Sequence, residues 1–174
     1  MRVTVIANIS ANGRILIADN PHHQVPPGAM EFYLQFVRQV GNVVIGLKTF
    51  ENFLKFPKEV KEFFNGIEII ILSDKPYAVD SYKIVVSPEE AVEYMSAKGV
   101  QEIAVGGGAN TFNAFIDKDL VTDIYFNINP IITGYGAILG NNSELNSKFK
   151  YKGQKLKDGF IQLHPAKEGV KTNQ

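Results

Sequence analysis

The 174-residue chain has no cysteine. Disulfides, thiolate nucleophiles and cysteine-based zinc sites are therefore excluded. Histidine is scarce as well, at three residues. His22 and His23 are neighbours in a proline-rich loop, and two adjacent imidazoles do not readily face one ion. His164 lies far along the chain. All three read as surface histidines near a substrate mouth, and no metal is expected. An excess of one charge is also missing: 18 Lys+Arg balance 18 Asp+Glu. There is no sequence-wide basic field to favour nucleic acid, which is not expected as a partner. No run approaches the roughly 18 apolar residues of a membrane span. The opening "MRVTVIANIS" has one charge and a short alternating apolar run, unlike a signal peptide. A cytoplasmic protein without a membrane partner is the expectation.

What the chain does contain is ordinary globular material, 45% hydrophobic and 21% charged. It is long enough for one sizeable core, and no internal repeat or low-complexity linker argues for a second domain. Residues 1–164 read as the domain and 165–174, "PAKEGVKTNQ", as a polar tail. "RVTVIANI" (Arg2–Ile9) is rich in β-branched residues and reads as a strand, closed by the turn "SANG". Residues 18–28, with three prolines, read as an irregular loop. Met30, Tyr33, Leu34, Val37 and Val40 fall on one helical face, opposite Glu31, Gln35 and Arg38. "NVVIG", "GIEIIILS", "YKIVV" and "QEIAV" read as short strands, mostly of the doubly buried kind. Ser87-Pro88-Glu89-Glu90 spells a capping box opening a helix that runs to about Lys98. "ANTFNAFID" is a short helix, "VTDIYFNINPII" a longer strand, and "KFKYKGQKL" with "GFIQLH" a terminal antiparallel pair. Strands alternating with helices, then strands alone, predict an α/β fold with a mostly parallel mixed sheet, flanking helices and an antiparallel C-terminal edge.

Three successive glycines, Gly106, Gly107 and Gly108, stand between a buried strand and a helix. Each glycine costs backbone entropy, so a bare backbone there has a reason. Open α/β sheets bind ligands at such strand ends, and the free N–H groups of a helix start attract phosphate. A tight strand-to-helix connection without ligand is the alternative. The motif is neither G-x-G-x-x-G nor a Walker A loop. Upstream, Gly46, Lys48 and Thr49 occupy another strand end and helix start, where Lys and a hydroxyl suit an anion; a capping Thr49 and a solvated Lys48 are the alternative. A third strand end brings Ser73 and Lys75 to the same edge.

"NVVIGLKTFENF", "IEIIILSDKP" and "IAVGGGANTFNAF", in that order, resemble the cofactor-binding segments of the dihydrofolate reductase-like fold. "ISANGRI" resembles the S-x-D-G-x-I turn, and "LVTDIYFNINPIITGYGAILG" resembles the L-x-D-E…P…G-x-G segment of the riboflavin-pathway pyrimidine reductases. The resemblance spans roughly residues 1–164. It implies hydride transfer from NADPH to a phosphorylated pyrimidine whose ribose is reduced. A dihydrofolate or pterin reductase is the runner-up, and a catalytically silent nucleotide-binding module the third reading.

The resemblance also assigns residues. Gly106, Gly107, Gly108, Ala109 and Asn110 would hold the pyrophosphate, Gly46, Lys48 and Thr49 would form the phosphate-binding helix start, and Ser73 and Lys75 would stand beside the 2′-phosphate. Asn12 stands where the family turn carries Asp, and Leu47 where classical dihydrofolate reductases carry a basic residue. Substrate is expected between the "SANGR" turn, the His22–Pro27 loop and the start of the Met30 helix. Asn12 would supply hydrogen bonds there, and Arg14 would meet a phosphate or remain a solvated turn residue. The folate-type carboxylate position falls on Met30, read as core or pocket wall; Glu31 is the remaining acid candidate, otherwise a solvated residue. A homodimer is implied by the family.

Overall fold

The computed structural model describes residues 1–17 and 20–169. In chain order its elements are β1 (Arg2–Ser10), α1 (Pro27–Val40), β2 (Asn42–Gly46), α2 (Leu47–Leu54), α3 (Lys58–Glu62), β3 (Glu68–Leu72), β4 (Lys83–Val85), α4 (Pro88–Ala97), β5 (Glu102–Gly107), α5 (Ala109–Asp117), β6 (Asp123–Asn129), β7 (Lys150–Lys157) and β8 (Phe160–Ala166). All eight strands join one sheet in the order β4-β3-β2-β5-β1-β6-β8-β7. The six strands from β4 to β6 run parallel, and β8 and β7 add antiparallel at the edge.

Strand alternation divides the core into two layers. Ile6, Val43, Ile45, Ile69, Ile71 and Ala104 face one side, where α1 and α2 cover them with Phe36, Val37, Phe50 and Phe53. Val3, Val5, Ala7, Val44, Ile70, Ile103 and Val105 face the other, beneath Ala91 and Met95 of α4 and Phe112 and Phe115 of α5. Right-handed crossovers require this split: connections moving one way along the sheet lie on one face, and those returning lie on the other. Phe50 and Phe115 are fully buried anchors of the two layers, and truncating either to Ala would cost about 3–5 kcal/mol.

Local readings are corrected in four places. The proline-rich loop does not reach residue 28, because α1 starts at Pro27 behind Pro26; proline at N1 has no N–H to lose and a preset φ. The buried face of α1 is Ala29, Phe36 and Val37, and Met30 is 39% exposed rather than core. The apolar arc is rotated because phenylalanines, not Met30 and Leu34, fill the space over the sheet. The short α3 had no periodic signal of its own. β6 stops at Asn129, where the Ile131 N–H turns back to the Asn129 carbonyl. Of the C-terminal tail, residues 165–169 are described, with β8 continuing to Ala166, and residues 170–174 lie outside the described residues.

Candidate active site at the strand ends

β2 and β5 are neighbours, and their outgoing chains part. From Gly46 the chain enters α2 on one face and proceeds to β3; from Gly107 it enters α5 on the other face and proceeds to β6 on the opposite side. Such a divergence opens a crevice at the carboxyl edge of a parallel sheet, the switch point where ligands of α/β folds bind. The third strand end identified in the sequence, that of β3, lies beside β2.

Both helix starts in this crevice are open. The N-cap residues are Gly46 and Gly108, neither helix has a side-chain cap, and neither has an acid in its first turn. Their first N–H groups therefore keep their donor capacity and the positive end of the helix dipole. The two loops are stitched together: the Gly108 N–H donates to Thr49 Oγ1 at 2.8 Å. Thr49 spends its hydroxyl across the crevice rather than on capping α2.

The glycines are bare for different reasons. A Cβ on Gly46 would stand 2.6 Å from the Thr111 hydroxyl oxygen, and one on Gly106 would stand 2.5 Å from the Tyr33 hydroxyl and 2.7 Å from Val43. Gly107 has φ +100°, and its Cβ would meet the Phe112 ring at 2.9 Å. These three are required by packing within the chain. Gly108 differs: its φ is −69° and its Cβ would have only Thr49 Oγ1, at 3.5 Å. The Gly107–Gly108 peptide is cis. Tyr33, read in the sequence only as a helix-face residue, thus belongs to the wall of the glycine loop. Burial pushes its phenol up to about 12, so it remains a protonated hydrogen-bond donor at neutral pH.

Around the crevice, Lys48, Lys75 and Asn110 are exposed and Ala109 is half-buried. Ser73 is buried, and its hydroxyl is closed into its own turn, donating to the Lys75 carbonyl and accepting from the Lys75 N–H.

On the β1 side, the two segments that resemble pyrimidine reductases meet. Ala11 N–H donates to the Ile131 carbonyl and Ile15 N–H to the Ala137 carbonyl. Gly136, at φ +99°, lies so close that a Cβ would stand 2.4 Å from the Ile15 carbonyl oxygen. Asn12 fastens this junction: its Nδ2 donates to the Thr133 carbonyl, and its Oδ1 accepts from Ser10 Oγ and the Thr133 N–H. Arg14 Nη1 donates to the Gly136 carbonyl. Both side chains predicted to meet substrate thus also hold the loop that follows β6. Glu31 is exposed and accepts from Gln35 one turn on.

The histidines separate. His22 is exposed and packs edge-on against Tyr135 at 5.9 Å, and His23 is half-buried. The surface reading of His164 is corrected. It sits in β8, stacked on Tyr125 at 4.1 Å with Nε2 3.0 Å from Asp123 Oδ1. Asp123 pairs with Thr4 at the start of the parallel strands, so this contact lies at the sheet end opposite the crevice. Among the described residues, no three His, Cys, Asp or Glu side chains gather as a metal site, and no helix is long and apolar enough to cross a membrane. Two surface cavities, of about 370 and 390 Å³, lie elsewhere, one between α5 and the 139–149 loop and one beside α2 and α3.

No curated protein matches the chain. Among solved structures, it resembles a Shewanella sp. PV-4 protein ascribed to riboflavin biosynthesis, with TM-score 0.70 and 20% identity over 95% of this chain and 98% of that one. A pyrimidine reductase-like protein from Corynebacterium diphtheriae aligns with TM-score 0.71 and 12% identity, over 95% of this chain and 91% of that one. A diaminohydroxyphosphoribosylaminopyrimidine deaminase/5-amino-6-(5-phosphoribosylamino)uracil reductase from Thermotoga maritima aligns with TM-score 0.68 and 13% identity, over 95% of this chain and 56% of that one. At these identities the structures speak to fold. The sequence itself matches the RibD C-terminal domain family over residues 10–159, a span holding the turn, both open helix starts and the returning segment, and the chain belongs to that family.

Proposed function

We propose that the chain is a cytoplasmic NADPH-dependent reductase acting on a phosphorylated ribosylamino-pyrimidine, whose ribose it reduces to ribityl. One observation carries the reading: two uncapped helix starts, tied by Gly108 and Thr49, flank the switch point of the sheet. A pyrophosphate suits that arrangement, since free N–H groups and two dipole ends favour an anion. The cofactor, when bound, supplies the hydride.

This chain's residues bind and orient. The N–H groups of Leu47–Thr49 and of Ala109–Thr111 hold the pyrophosphate. Lys48 and Lys75, exposed and without a salt bridge among the described residues, are placed to meet a 2′-phosphate, and the Ser73 turn holds the Lys75 backbone in place. Asn12 positions the loop around the substrate and has no proton to transfer. With Asn12 unable to transfer a proton and Glu31 exposed, water is the proton source in this reading. The exposed Glu31, bonded to Gln35, offers no buried acid of the folate type, which disfavours a pterin reductase. A homodimer belongs to the same reading, and light scattering tests it.

The test is calorimetric titration with NADPH and NADH, followed by turnover of the phosphoribosylamino-pyrimidine and of dihydrofolate side by side. Gly108→Val adds a side chain where the structure has room, so it should abolish NADPH binding while the protein stays folded. Gly107→Val meets Phe112 at an unsuitable φ and should lose the fold itself. Unaltered NADPH binding by Gly108→Val would move the cofactor elsewhere. Saturable binding without turnover of either substrate would make the chain a nucleotide-binding module, and turnover of dihydrofolate alone would make it a pterin reductase.

A further inference from the structure

β1, β6 and β8 carry a row of amides that neither the core nor the cofactor crevice uses. Asn8 pairs in register with Asn127, and Asn127 with Gln162. Side chains in register share a face, and here they form a directed chain. Gln162 Nε2 donates to Asn127 Oδ1 at 2.9 Å, and Asn127 Nδ2 donates to Asn8 Oδ1 at 3.1 Å. Asn127 and Gln162 are buried; Asn8 is the partly exposed member. The side-chain oxygens of Asn127 and Asn8 are each taken by the amino group before them in the row. The free end is therefore the Asn8 amino group, which has no partner among the described residues.

A second observation lies beside it. Asn129, fully buried, gives its amino group to the Ile9 and Asn127 carbonyls, and its Oδ1 has no donor among the described residues. A buried oxygen without a donor is costly and uncommon. Hydrogen-bonding capacity thus stays open at the carboxyl ends of both β1 and β6.

We propose that Asn8 is a specificity residue, donating to a ring carbonyl of the substrate heterocycle, with Asn127 and Gln162 as positioning residues that hold its amide donor-outward. The placement rests on the reading above. β1 is the strand next to β5, about 4.8 Å away, so a dinucleotide with its pyrophosphate at β2 and β5 carries its reactive ring over β1. The amide row lies on the α1 side of the sheet, under the first turn of α1, where Gly28 approaches Phe160. A pyrimidine ring seated there presents its carbonyl oxygens to a donor and not to an acceptor.

Two variants test this. Asn8→Asp keeps an oxygen for Asn127 Nδ2 and replaces the outward donor by a negatively charged acceptor. Its KM for the phosphoribosylamino-pyrimidine should rise at least tenfold, with NADPH affinity and melting temperature unchanged. Gln162→Glu, assayed well above the carboxylate range, can only accept. Asn127 must then turn its amide towards Glu, offer Oδ1 to Asn8, and so turn Asn8 acceptor-outward. KM should rise several-fold although residue 162 never touches substrate, and lowering the pH to protonate the new carboxyl should reverse the rise. A row that merely pins strand register would leave KM unmoved in both variants, and that result overturns the proposal. Binding of the pyrimidine alone, without cofactor, is measured in parallel by calorimetry. Asn8-dependent pyrimidine binding in a protein that binds no NADPH would retain the Asn8 assignment and overturn the reductase reading. NADPH-driven turnover indifferent to both variants would do the opposite, and absence of both binding events would overturn both.

Discussion

The start of α4 and the starts of α2 and α5 solve the same problem in opposite ways. α4 closes itself: Ser87 Oγ accepts the Glu90 N–H at 3.1 Å, Glu90 returns a carboxylate oxygen to the Val86 N–H at 2.8 Å, and Glu89 and Glu90 add negative charge to the first turn. α2 and α5 begin at glycine with no cap and no acid. A helix start with glycine at the N-cap forgoes only about a few tenths of a kcal/mol of capping stability, and it keeps its N–H groups open. α1 also begins without a side-chain cap or an acid, but α2 and α5 bring two such starts to adjacent strand ends, where their positive ends lie together.

Closing α5 as α4 is closed should have the largest effect. Gly108→Asp places a carboxylate where the anion is proposed to sit, and NADPH affinity should fall about a hundredfold or more. Melting temperature should hold or rise, because Asp caps slightly better than Gly. Calorimetry with a thermal melt reads both, and undiminished affinity would dissolve the contrast. Lys48→Ala should weaken NADPH by about tenfold, the worth of one charge-assisted contact, and NADH far less; equal losses would take Lys48 off the 2′-phosphate. Opening α4 with Ser87→Ala should cost about 1 kcal/mol, a melting shift of roughly 2–4 °C, and leave NADPH affinity untouched.

The smallest effect is a pH dependence confined to α4. Backbone hydrogen bonding holds the Glu89 carboxyl below its ordinary value of 4.5, as does the Val86 N–H for Glu90. A lowered folded-state pKa gives stability that is present above the ordinary value and lost as pH falls through the lowered one. The stability gap between the native chain and a Glu89→Gln/Glu90→Gln variant should therefore be level near neutrality and close below about pH 4.5. A gap that persisted in acid would assign it to packing.

Much of this contrast was readable in the sequence, because it is local. Ser87-Pro88-Glu89-Glu90 caps within four residues, and Gly108 before Ala109 plainly does not. The purpose of the other glycines was not readable. Gly106 is bare for Tyr33, 73 residues away in the chain, and Gly107 for Phe112, which only the orientation of α5 brings over it. Asn12 carried a recognisable turn position, yet its partner Thr133 arrives from the far side of β6. The amide row gave no signal at all, since Asn8, Asn127 and Gln162 become neighbours only through the pairing of three strands.

Legible in the chain alone were the strands, every helix but α3, the mostly parallel sheet with its antiparallel edge, and the glycine, lysine and hydroxyl residues at three strand ends. Those follow from periodicity, caps and glycine positions, each a property of a few consecutive residues. Three-dimensional packing settled which of the crevice glycines are required by neighbouring side chains and that Gly108 alone among them has room for one, that Thr49 bridges to Gly108, that His164 meets Asp123, and that Asn8 ends a donor chain. Each of these depends on which atoms meet across the sheet, and contacts between distant segments are set by strand order, register and helix rotation rather than by any local preference.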